Sequence, residues 1–141
     1  MTTRVSYNLK DALLIKETNF SAAAGTIQSE ALDLGSIGDR GVRTDPFELL
    51  IAAPEATASN LPAGATNTFS FQFCNTADFS TNVQEVSVGT AGQQTGSANG
   101  AQEHEVRFRV ATDAPRYVRV KCVTAGTAAQ TGKKFQFAIV S

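Results

Sequence analysis

At 141 residues, with 42% hydrophobic and 18% charged side chains, the chain is long enough for one domain with a core of its own. Twelve basic and thirteen acidic residues leave a net charge of −1. These values exclude an extended charged tail, a coiled coil and a disordered polyelectrolyte, and they argue against a nucleic-acid module, whose affinity rests on a basic excess. No run of 18 apolar residues is present to cross a membrane as a helix.

In chain order, residues 1–20 read as an irregular N-terminal arm ahead of a single domain over 21–141. Residues 8–15 carry helical periodicity for one or two turns, and 13–20 could instead extend the strand set. Met1-Thr2-Thr3-Arg4 is followed by polar residues, not by the apolar stretch of a secretory leader. Beyond the arm the signal is alternation of period two, which sends alternate side chains to opposite faces of a sheet. Residues 26–34, 47–53 and 83–88 are the weaker strand candidates. Phe69, Phe71 and Phe73 alternate with Ser70 and Gln72. Val106, Phe108 and Val110 alternate with Arg107 and Arg109, and Val118, Val120 and Cys122 with Arg119 and Lys121. Phe135, Phe137 and Ile139 close the series. Gly, Pro, Asn and Asp punctuate the gaps at 35–38, 62–64, 75–78, 112–115 and 126–132. The segment 89–100 has no charge and no large apolar group, so it reads as an exposed, mobile loop. About eight short strands separated by turns predict an all-β, jelly-roll-like antiparallel β-sandwich. Nine phenylalanines and no tryptophan supply its core.

Residues suited to catalysis are few. His104 is the only histidine, at the start of a strand and on its inward parity, where it reads as a partly buried, hydrogen-bonded ring. Neither Cys-x-x-Cys nor His-x-x-x-His spacing occurs, and Gly-x-Ser-x-Gly is missing. Glu30, Asp33 and Asp39 flank a glycine-rich turn without calcium-loop spacing and read as solvated turn acids. Cys74 falls on the Ser/Gln side of its strand and Cys122 on the valine side, so they read as two unpaired thiols, one outward and one inward, as expected of a reducing birthplace. We expect no enzyme and no cofactor.

Charge is distributed unevenly. Residues 1–99 carry a net −5 and residues 100–141 a net +4. This fits two faces of one fold, or a positive surface that docks on an acidic neighbour. Arg107 and Arg109 share one face of a strand, and Arg119 and Lys121 share one face of another. Were these strands adjacent, the four cations would lie within about 5 Å of each other in pairs and would need acids such as Glu85, Glu103 or Glu105 to answer them.

Several stretches in this order resemble a known family. They are Gly25-Thr-Ile-Gln-Ser-Glu-Ala-Leu-Asp33-Leu34-Gly35, a Gly-Asp-Arg-Gly turn, the Phe69-Ser-Phe-Gln-Phe73 strand, Arg116-Tyr117-Val118-Arg119-Val120, and the closing Gly132-Lys-Lys-Phe-Gln-Phe-Ala-Ile-Val140. Together, over roughly 25–140, they are similar to the jelly-roll cement (decoration) proteins of tailed-bacteriophage capsids, including the type carried by Bordetella podoviruses. The resemblance implies a non-enzymatic virion protein on the capsid exterior, made in the host bacterial cytoplasm. Its implied partners are the major capsid protein, whose neighbouring copies it bridges, and itself, as a homodimer or trimer, with no direct contact to nucleic acid or membrane. Arg107, Arg109, Arg116, Arg119 and Lys121 are the expected contacts with shell or self, with the arm as a clamp. The alternative is a carbohydrate- or receptor-binding jelly roll on a phage fibre or head, for which the absence of Trp and the presence of only Tyr7 and Tyr117 make a poor aromatic platform.

Overall fold

The computed structural model describes residues 15–34, 48–110 and 115–140. These form ten strands: β1 (Lys16–Asn19), β2 (Gly25–Gln28), β3 (Leu32–Asp33), β4 (Glu48–Ala53), β5 (Thr66–Cys74), β6 (Gln84–Ser87), β7 (Gln93–Thr95), β8 (His104–Arg109), β9 (Tyr117–Ala125) and β10 (Lys134–Val140). One four-stranded sheet has the order β1-β10-β4-β8; the second has β2-β9-β5-β6. β3 continues β2 along one edge of β9, and β7 continues β6 along the far edge of β5. Every pairing is antiparallel. With β2/β3 and β6/β7 each taken as one broken strand, eight strands make two four-stranded sheets in the jelly-roll order. Only β5 to β6/β7 stays within a sheet; every other strand-to-strand step between composite strands crosses from one layer to the other.

Alternation does what the sequence predicts in β4 and β9, whose residues are buried at every second position. Leu49, Ile51, Val106, Phe135 and Phe137 point in from the first sheet; Leu32, Phe69, Phe71, Phe73, Val118, Val120 and Cys122 point in from the second. Aromatic rings join the layers. Phe69 meets Phe135 edge-on at 5.2 Å, Phe71 stacks on Phe108 at 5.3 Å, and Phe20 lies 5.1 Å from Phe135. Burying each such ring contributes about 1.5–3 kcal/mol before entropy is subtracted.

The arm expected over 1–20 ends too late. Its first 14 residues lie outside the described residues, but Lys16–Asn19 pairs with β10 from Lys16↔Phe137 to Asn19↔Lys134, and Phe20 is buried in the core. This is the strand that residues 13–20 offered as the alternative to an arm, with its inward positions only half-buried. The turn at 35–38, Asp39, Phe47 and residues 112–114 also lie outside the described residues.

The mobile loop expected at 89–100 is ordered structure instead. A single 3-10 turn, Gly89–Gly92, leads into β7, and Ser97 bridges Gly100. Its glycines serve close approach. A Cβ on Gly92 would sit 2.7 Å from the Phe69 carbonyl oxygen, one on Gly96 would strike the Leu61 and Pro62 carbonyls, and one on Gly100, at φ +88, the Ala56 carbonyl. Gln94 supplies the buried anchor that the composition seemed to lack. Its Nε2 donates to the Pro54 and Gln102 carbonyls at 2.9 and 3.0 Å, and its Oε1 accepts from Asn67 Nδ2 at 3.2 Å. Asn67, Gln130 and Thr124 complete this internal network: Asn67 Nδ2 donates to Gln130 Oε1 at 2.8 Å, and Thr124 Oγ1 donates to Asn67 Oδ1 at 2.7 Å. A buried polar group costs little once its bonds are made, and these are made.

Candidate functional site

The sandwich separates the five expected contact residues. Arg107 and Arg109 stand on the outward side of β8, an edge strand of the first sheet. Arg119 and Lys121 stand on the outward side of β9 in the second sheet, with Arg116 just ahead of them. β8 and β9 follow each other in the chain, but the step between them crosses layers. Their cations therefore face away from each other, and the adjacency that would have brought the four together does not occur.

On the first sheet, Arg107 Nε bonds Glu105 Oε1 at 2.9 Å and its Nη1 lies 3.5 Å from Glu48 Oε1. Glu105 above all raises the Arg107 pKa. Arg109 makes no ion pair among the described residues. The pairs are more than a third exposed, where solvent screens such contacts.

The outward face of the second sheet is more organised. Register places Arg119 beside Gln72 and Gln72 beside Glu85, across β9, β5 and β6. Arg119 Nε donates to Gln72 Oε1 at 2.8 Å, and Gln72 Nε2 donates to Glu85 Oε1 at 3.1 Å. Lys121 Nζ reaches the two Glu85 oxygens at 3.2 and 3.5 Å. The Gln72 bond, and then Lys121, hold the Glu85 carboxyl below the usual carboxylate range. At one end, Arg116 forks onto Asp33, Nε to Oδ1 at 2.8 Å and Nη2 to Oδ2 at 2.9 Å, and its guanidinium lies 5.2 Å from the Tyr117 ring centre.

The loop after β5 folds back over this face. Phe79 N donates to the Thr76 carbonyl at 3.1 Å, and Ser80 N donates to Asp78 Oδ1 at 3.1 Å; the Ser80 side chain, and then this backbone bond, hold the Asp78 carboxyl low. Phe79 adopts φ +53, a left-handed conformation uncommon for a bulky side chain. The result is a ring 8% exposed, with the Arg119 guanidinium carbon 4.2 Å above its centre. The same loop corrects the reading of Cys74. Its parity is outward, as expected, but it is buried under the loop, where its thiol donates to the Thr81 carbonyl at 2.9 Å and lies 3.1 Å from Thr76 Oγ1. The Thr76 hydroxyl lowers its pKa against the opposing effect of burial. Cys122, inward, is pushed up to about 12 by burial. Both thiols are free.

Sequence reasoning missed Gln72 and Phe79 as members of this face. Gln72 could have been found by register, since it shares parity with Ser70 and Cys74; a phenylalanine inside a turn gives no such signal. Glu30 pairs with Lys16 at 3.5 Å and Asp33 with Arg116, and no group of three metal-ligating side chains occurs among the described residues. His104 Nε2 lies 2.6 Å from the Ala91 carbonyl oxygen, beside an open depression of about 400 Å³ shared with Gln94, Ser97, Gln102 and Glu103.

No protein-family model and no curated protein matches the chain. Among solved structures, it is similar to a chain of infectious bursal disease virus, Gx strain, at 10% identity and a TM-score of 0.43, over 90% of this chain and 28% of that one. It is also similar to the xylan-binding module CBM15, at 11% identity and a TM-score of 0.38 over 90% of each chain. A third is the CBM22-1 xylan-binding domain of Paenibacillus barcinonensis Xyn10C, at 13% identity and 0.40, over 89% of this chain and 79% of that one. Likeness at these levels carries nothing about what this chain binds.

Proposed function

We propose that the chain is a non-enzymatic virion structural protein that docks on the outside of a bacteriophage capsid shell and bridges neighbouring copies of the major capsid protein. The observation that supports this best is the outward face of the second sheet, where Arg119, Gln72, Glu85 and Lys121 are bonded into one row across three strands. A row already fixed loses little side-chain freedom on binding, so a modest contact retains more of its interaction energy. Repeated over a lattice, and doubled by self-association, weak single contacts add up. In this reading the partners are the shell protein and further copies of the chain, and the place of action is the capsid exterior.

A saccharide-binding module is the rival reading, and Tyr117 on the same face is the observation in its favour. Arg116 already lies over that ring, which leaves less aromatic surface for a sugar to stack on. The test is co-sedimentation of the purified chain with shells assembled from the major capsid protein of the phage that this reading assigns it to. Saturable binding that weakens with salt is expected. Absence of binding to those shells, together with competable hits on a glycan array, would replace this reading with its rival.

A further inference from the structure

Two of the five cations named above lack a carboxylate partner among the described residues, Arg109 and Arg119, and only Arg119 is held in place. Its Nε is engaged by Gln72 Oε1, Gln72 is 8% exposed and bonded in turn to Glu85, and the guanidinium carbon lies over the Phe79 ring. Phe79 is set there by a backbone conformation that a bulky residue rarely adopts, the kind of local strain that persists where surrounding structure requires it. With Nε occupied, the two terminal amino groups of Arg119 make no bond among the described residues. They form the end-on fork that matches the two oxygens of a carboxylate.

We propose that Arg119 is a receptor for a single carboxylate, presented by an acidic segment of the shell protein; the choice of that partner rests on the docking role proposed above. A carboxylate fits better than a phosphate. The neighbouring cations are already answered, Lys121 by Glu85 and Arg116 by Asp33, so the face has one positive charge to offer and two acids beside it to repel a dianion.

The experiment compares shell binding of the wild-type chain, Arg119→Lys, Arg119→Gln and, on the opposite sheet, Lys134→Gln. Both Arg119 variants should bind about tenfold more weakly or worse, the lysine failing to rescue because it keeps the charge and loses the fork. Lys134→Gln should bind as the wild type does. Full binding by Arg119→Lys, or an equal loss in Lys134→Gln, would overturn the proposal. A second measurement needs no shell: the Arg119 Nε–Hε NMR signal of the wild-type chain, titrated with a tetraglutamate peptide and separately with inorganic phosphate. A saturating shift with the peptide, larger than with phosphate at equal concentration, is expected; no shift with the peptide overturns the receptor. If the peptide shifts Arg119 while the chain ignores shells, the docking role fails and the carboxylate receptor stands.

Discussion

Phe135 shows how much a single side chain does in this fold. It is fully buried on an interior strand of its sheet, 5.2 Å from Phe69 across the core and 5.1 Å from Phe20. Phe135→Ala should cost about 3–5 kcal/mol, a lost transfer energy plus the cavity left behind. Urea titration would show it as a lower midpoint with an unchanged slope, and a loss under 1 kcal/mol would mean that the core re-collapses around the gap. Glu85 makes a smaller, pH-dependent contribution. Its pKa is depressed in the fold, so the stability it brings is present above the unfolded glutamate value of about 4.3 and lost as pH falls through the lower folded value. Glu85→Gln should therefore melt below the wild type at neutral pH, and the gap should close as the solution is acidified past about pH 4. A gap constant at all pH values would assign the effect to something other than charge. Single residues of this kind were partly legible: the inward phenylalanines followed from parity, whereas Phe79 did not, because its place depends on how a loop folds back.

At the scale of elements, local alternation was a reliable guide to β4, β8, β9 and β10 and misled elsewhere. β5 is buried on both sides from Phe69 to Cys74: Arg119 and Glu85 bond Gln72 from either side, and the loop that follows covers Cys74. The segment 89–100 reads as loose by composition, yet its glycines let backbones approach and its Gln94 anchors them. The two covers differ in depth, and the thiols can report this. With an aromatic disulfide reagent the native protein should label at neither cysteine within the mixing time. Cys74 should then react at a rate set by opening of its loop, while Cys122, deep between the sheets, should wait for global unfolding. Equal rates at both would mean that the loop over Cys74 opens only with the whole domain.

At the scale of the molecule, what the sequence withheld was adjacency. Parity correctly placed Arg107 with Arg109 and Arg119 with Lys121, but no local pattern says whether two consecutive strands lie in one sheet or in two. The layer crossing between β8 and β9 decides that, and it turned one imagined charged patch into two separate faces. Strand count and class were readable because each depends on short-range pattern; the face that carries the candidate contacts was not, because it is assembled from β5, β6 and β9, which the register alone brings side by side.

That order also sets a timetable for synthesis. β10, last of the ten to leave the ribosome, lies in the interior of its sheet, and β1, the first, has no other partner within it. Until Lys134–Val140 emerges, β1 has nothing in its sheet to zip against, and β4 has only β8. Nascent chains stalled before residue 134 should stay open to protease along Lys16–Asn19, and emergence of Lys134–Val140 should close the first sheet.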